Sequence, residues 1–190
     1  MSATRRLWLQ RHAPVVAEPG LCYGATDLEA HANGTQDAAE RVAHGLPPGI
    51  ALRSSPLRRC VALAETVATL RPDLSVQRDV RLAEMNFGEW EGRPWSAIPR
   101  EEFDAWTANF ADAPAGGNGE SVRAFMQRVA SAYDEWLASE GDALWITHAG
   151  VLRAVTLLRR GVRCPTAATD WPAGDIAFGS WLTFDNSPGI

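Results

Sequence analysis

Two periodicities alternate along this chain of 190 residues. Short apolar runs sit within RRLWLQR (5–11), IALRSS (50–55), LSVQRD (74–79) and DALWIT (142–147), and each has the length of a strand. Between them lie stretches with helical spacing. The most pronounced is 120–138, where Val122, Phe125, Met126, Val129, Tyr133, Trp136 and Leu137 form one broad apolar stripe. Others are 35–45, 98–106, about 150–160, and 55–70, with Leu57, Val61, Ala64 and Val67 on one face. There Ser55 suits an N-cap and Pro56 a first helical position. Strands alternating with helices predict a three-layer α/β/α sandwich around a mostly parallel sheet. The run 175–185 alternates only loosely and predicts an edge strand, free to run antiparallel. The length suits a single domain spanning 1–190, and 46% hydrophobic residues suffice for its core. The tail NSPGI is expected to be loose.

In parallel sheets ligands bind beyond the carboxyl ends of the strands. Two strands here end on chemistry. The first stops at Arg11-His12, with Pro14 preventing continuation, and LWITHAGV (144–151) places His148 at the same relative point. The RSSPLRR turn brings Arg58 and Arg59 to a helix start, where free backbone N–H groups and a guanidinium fork favour anions. RLAEMNFGEWEG adds Glu84, with Glu89 and Glu91 as equal rivals on spacing alone. His31 and His44 lie in polar or helical contexts and are expected at the surface.

Three chemistries compete for this set. A metal could take His12, His148 and a carboxylate, but Arg11 would repel a cation and no His-x-x-x-His pair exists. A serine hydrolase would need an activated serine, and no Gly-x-Ser-x-Gly elbow is present. Phosphoryl transfer through a histidine uses every member: arginines hold the oxygens, an imidazole attacks phosphorus, and an acid protonates the leaving alcohol. It needs neither metal nor cofactor. No Gly-x-x-x-x-Gly-Lys loop points to a nucleotide triphosphate.

The net charge of −5 argues against a nucleic-acid partner but not against a small anionic substrate. Three cysteines, Cys22, Cys60 and Cys164, are odd in number and lack metal spacing, which suggests a reducing cytoplasm. Cys60 is expected as a buried small hydrophobe. The apolar run near the N-terminus is too short for a signal peptide, and no stretch is long enough for a membrane span. Oligomeric state is not encoded in any feature.

Four segments, LQRHAPV, SSPLRRCVALAET, RLAEMNFGEWEG and ITHAGV, occur in this order, and together they resemble the histidine phosphatase superfamily, with its phosphoglycerate-mutase-like fold. The resemblance covers residues 5 to about 158. GLCYGATDLEA and EMNFGEWEGRPWSAIP further resemble the α-ribazole-5′-phosphate phosphatases of cobalamin biosynthesis. The resemblance implies that His12 is the nucleophile, Arg11 and Arg59 the phosphate clamps, Glu84 the proton donor and His148 a second histidine contacting the transferring group. It places Tyr23 and Gly24 among substrate-binding positions and an inserted segment, about 86–120, over the active site. The loop at 112–119 and the helix at 99–110 are lid candidates. Two departures stand out. Ala13 replaces the glycine that relatives carry after the histidine, and the Ser-x-x-Asn-like continuation of mutases is missing, which favours hydrolysis. The implied reaction is phosphomonoester hydrolysis on a small phosphate ester. Broader sugar- or glycerate-phosphate phosphatase or mutase action is one alternative, and a phospho-ligand-binding protein without turnover is another. Trp90 and Trp95 are equally placed to line a pocket or fill a core.

Overall fold

The computed structural model describes residues 4–186. Five strands, β1 (Arg6–Arg11), β2 (Ala51–Ser54), β3 (Val76–Arg78), β4 (Ala143–Thr147) and β5 (Trp181–Asp185), form one sheet in the order β3-β2-β4-β1-β5. All neighbours run parallel except β5, which pairs antiparallel with β1 at the edge. The helices are α1 (Ala32–Gly45), α2 (Arg58–Leu70), α3 (Arg100–Ala108), α4 (Val122–Ala138) and α5 (Ala149–Arg159).

Side-chain alternation along the central strands builds three layers. Leu7, Leu9 and Trp145 face α4 and α5, while Trp8, Leu144 and Ile146 face α1 and α2. Every residue of β4 is buried, because helices cover both of its faces. Six of the seven stripe residues of α4 are buried and Leu137 packs against them. Each fully buried large apolar side chain contributes about 1.5–3 kcal/mol relative to an exposed one. Cys22 and Cys60 are buried, and all three thiols are free. Among the described residues, no helix is long and apolar enough to cross a membrane.

Several boundaries differ from the sequence expectation, each for a tertiary reason. α2 starts at Arg58 after Leu57, not at Pro56. Ser55 instead extends the sheet, its N–H donating to the Ile146 carbonyl at 2.9 Å. The Arg58 N–H is taken by the Asp27 carboxylate at 2.7 Å, so this helix start is not the open anion site expected. β3 shrinks to three residues at the opposite edge. The last strand begins only at Trp181, because Gly179 turns at φ 68° and sends residues 175–178 off the sheet towards Arg11. Residues 187–190 of the tail lie outside the described residues. The Leu82–Ser121 stretch carries α3 and several short turns, and its aromatic side chains stack beyond the carboxyl ends of the strands.

Candidate active site

β1 delivers Arg11 and His12 to the rim. His12 is 2% exposed, and its Nδ1 lies 2.7 Å from the Ala13 carbonyl. A carbonyl can only accept, so Nδ1 carries the proton and Nε2 keeps its lone pair. Burial, followed by the charge of Arg59, holds the imidazole well below its ordinary value, at about 3; the Ala13 bond opposes this and Arg11 reinforces it. The ring is therefore neutral across the physiological range. The Ala13 methyl is fully buried, and no described non-glycine residue has a positive φ, so alanine causes no backbone strain here.

The arginines arrive from different elements. Arg11 lies 3.6 Å over the Phe178 ring, donates from Nη1 to the Ile176 carbonyl, and has Asp175 at 3.9 Å. Its Nε is buried without a partner. Arg59 is fully buried in the first turn of α2. It donates to the carbonyls of Thr26 and Gly24, both at 2.7 Å, and to His148 Nδ1 at 3.3 Å. Arg58 points outward and pairs with Glu29. The structure thus brings Arg59, not Arg58, to the site. Tyr23 lies within reach of both Arg11 and Arg59, 5.2 Å from the latter. Gly24 does not line the cavity; it supplies its carbonyl to Arg59. A Cβ there would fall 1.8 Å from the Met85 carbonyl, so only glycine lets this loop approach.

His148 stands behind His12, ring centroids 5.2 Å apart, and is fully buried. Because Nδ1 accepts from Arg59, Nε2 carries the proton and donates to Ser55 Oγ at 2.8 Å. Burial and the Arg59 charge lower its pKa well below the ordinary value. His148 is not among the residues lining the cavity. In the sequence Ser55 suits only an N-cap, because the partner of its hydroxyl is 93 residues away.

Glu84 projects over the start of α5. Its carboxylate accepts from the N–H of Met85 and of Gly150, both at 3.0 Å, at the positive end of the helix dipole. The rival glutamates are placed elsewhere. Glu89 is exposed. Glu91 accepts from the N–H groups of Ala25, Thr26 and Phe87 and from the Thr26 hydroxyl. Burial pushes its carboxyl up, but these bonds, led by the Thr26 hydroxyl, outweigh burial and lower it. Glu91 thus clasps two loops together.

Arg11, His12, Tyr23, Arg59 and Glu84 line one end of a cavity of about 560 Å³. The remaining wall is largely aromatic: Phe87, Trp95, Phe103, Trp106, Phe110, Phe125, Trp171 and Phe178. Trp95 is on the wall; Trp90 is 2% exposed, packs behind it and donates Nε1 to Glu102 at 2.8 Å. Among the described residues, no group of three or more His, Cys, Asp and Glu is arranged to hold a metal ion.

These buried neutral histidines couple stability to pH. Unfolded, each takes up a proton near 6.5; folded, His12 stays neutral down to about 3. The unfolded chain therefore binds more protons below 6.5, and stability falls as the pH drops from there towards 3, by at most about 1.4 kcal/mol per pH unit for each histidine. Urea midpoints at pH 7 and pH 5 should show this decline, and His12→Asn should flatten it. An equal decline in the variant would remove His12 from the account.

The sequence matches the histidine phosphatase superfamily (branch 1) over residues 7–185. It is 31% identical over 164 residues to a Hydrogenobacter thermophilus protein provisionally named phosphoserine phosphatase 2, covering 83% of this chain and 80% of that one. It is also 31% identical, over 175 residues, to the adenosylcobalamin/α-ribazole phosphatase of Escherichia coli, covering 86% of this chain and 82% of that protein. A mycobacterial glucosyl-3-phosphoglycerate phosphatase superposes with a TM-score of 0.78 at 26% identity, covering 96% of this chain and 91% of its own.

Proposed function

The chain belongs to the histidine phosphatase superfamily and is a phosphatase, and on that premise we propose that it hydrolyses α-ribazole 5′-phosphate through a phosphohistidine on His12. Arg11 and Arg59 hold the phosphoryl oxygens, with Tyr23 beside them. The His12 Nε2 lone pair attacks phosphorus as the P–O bond to the alcohol breaks, and Glu84 gives its proton to the departing oxygen. Glu84 then takes a proton from water as that water displaces the phosphoryl group from His12, which regenerates both residues. His148 holds Arg59 in place from behind, and Gly24 does so from the loop. The segment 86–120 acts as the cover over this chemistry.

The aromatic far wall carries the choice of ester. A planar base such as that of α-ribazole would bury its faces there, whereas the ammonium of phosphoserine would need anionic partners. Glu84 is the one carboxylate among the described lining residues, and it sits at the phosphate end. A second reading, a glycerate-phosphate ester, draws support from Arg153, which also lines the cavity; its Nε and Nη2 donate to the Pro172 and Gly174 carbonyls, and a guanidinium suits a substrate carboxylate.

A panel of α-ribazole 5′-phosphate, phosphoserine and 3-phosphoglycerate separates these. The expected kcat/KM for α-ribazole phosphate exceeds that for phosphoserine by about 10²-fold, from burying an aromatic ring. Activity should survive excess chelator. Equal rates across the panel would remove the assignment, and a preference for 3-phosphoglycerate would transfer it to the second reading.

A further inference from the structure

Glu84 lies on irregular chain just past the short turn Val80–Leu82, so its placement depends on what holds that backbone. The holder is Arg128, midway along α4. Its Nη1 donates to the carbonyls of Arg81 at 2.9 Å and Ala83 at 2.7 Å, and its Nη2 to the carbonyl of Glu84 itself at 3.0 Å. The remaining edge of the guanidinium meets Glu120, Nε at 2.7 Å and Nη2 at 2.8 Å. All five donors of the side chain thus have acceptors, in a fork no lysine can reproduce. Glu120 also ties the far side of the same segment, its N–H donating to the Asn86 carbonyl at 2.8 Å. The base of this clamp is α4, where Phe125, Met126 and Val129 are fully buried around Arg128.

We infer that the Arg128–Glu120 pair is a positioning device for Glu84: it pins the backbone of the acid to α4 so that the carboxyl reaches over Gly150 into the cavity. Neither residue lines the cavity. The inference rests on the reading of Glu84 as proton donor. A proton donor matters most when the leaving group is a poor one, so loosening Glu84 should slow transfer to His12, read as kcat/KM, far more from alkyl esters than from p-nitrophenyl phosphate, whose phenolate leaves unaided; hydrolysis of the phosphohistidine, where Glu84 is the base, is common to both esters and does not enter kcat/KM.

The test measures kcat and KM for Arg128→Gln, Arg128→Lys, Glu84→Gln and the double variant Glu84→Gln/Arg128→Gln. Substrates are p-nitrophenyl phosphate and the best alkyl ester of the panel above. Arg128→Gln is expected to lower kcat/KM on the alkyl ester by about 10²-fold, the scale of a misplacement of about 1 Å. kcat/KM on p-nitrophenyl phosphate should change little. Arg128→Lys, which keeps the charge, should show the same selective loss and serves if the glutamine variant does not fold. In the double variant the second substitution should add nothing to the loss. Equal losses of kcat/KM on both esters, additive losses in the double variant, or full activity would each overturn the positioning role. Unimpaired turnover of the alkyl ester by Glu84→Gln alone would instead overturn the proton-donor reading beneath it.

Discussion

His12→Ala is expected to lower kcat by on the order of 10⁴–10⁶-fold and to abolish the phosphoenzyme. Nothing else on the rim can replace its Nε2. The Ala13 carbonyl fixes the proton on Nδ1, and burial with the flanking arginines keeps the ring neutral, so the attacking lone pair is available without a separate base. Acid-quenched wild-type enzyme incubated with labelled substrate should yield an acid-labile, base-stable phosphate that His12→Ala lacks. The competing nucleophile is Ser55, whose hydroxyl lies 2.8 Å from His148 Nε2. That geometry looks like a serine–histidine pair, but its protonation is wrong. Arg59 donates to Nδ1, so Nε2 already carries the proton and cannot accept the serine's. Ser55 is also fully buried and off the cavity wall. A label recovered on serine would nevertheless refute the phosphohistidine mechanism.

Strand ends are legible in the sequence because two signals coincide there: an apolar run that must be buried and, directly after it, side chains carrying ionisable nitrogens. That coincidence located Arg11, His12 and His148 relative to the sheet without knowledge of strand order. Other features depend on partners far apart in sequence. Whether Arg58 or Arg59 turns inward depends on the carbonyls of Gly24 and Thr26, which no local pattern announces. Separation of Glu84 from Glu91 likewise depends on four donors reaching Glu91 from two loops. Local pattern starts α2 too early because Ser-Pro is a good helix opening, while the sheet and His148 claim Ser55 first. Trp90 and Trp95 have similar local contexts, and only the packing of α3 puts one behind the other.

Glu84 and Gly150 together offer the second large effect. Glu84→Gln removes the transferable proton while keeping the shape of the side chain, and kcat on an alkyl ester should fall by about 10²–10⁴-fold. The glycine tests the same group from the other side. A Cβ at Gly150 would fall 2.1 Å from Glu84 Oε1, closer than any contact allows, so in Gly150→Ala the carboxyl must leave its place over the helix start. The backbone itself has no objection to alanine. Gly150 has no positive φ and lies in the first turn of α5, where alanine is the better helix former by about 0.5–1 kcal/mol. Folding and function should therefore part company. Gly150→Ala should keep its melting temperature close to that of wild type while kcat on the alkyl ester drops by about 10²-fold, the scale expected when a reacting group is displaced by about 1 Å. A substitution that merely damaged the fold would lower both together, and one that left kcat intact would mean that the Glu84 carboxyl does not act from the position it holds over Gly150.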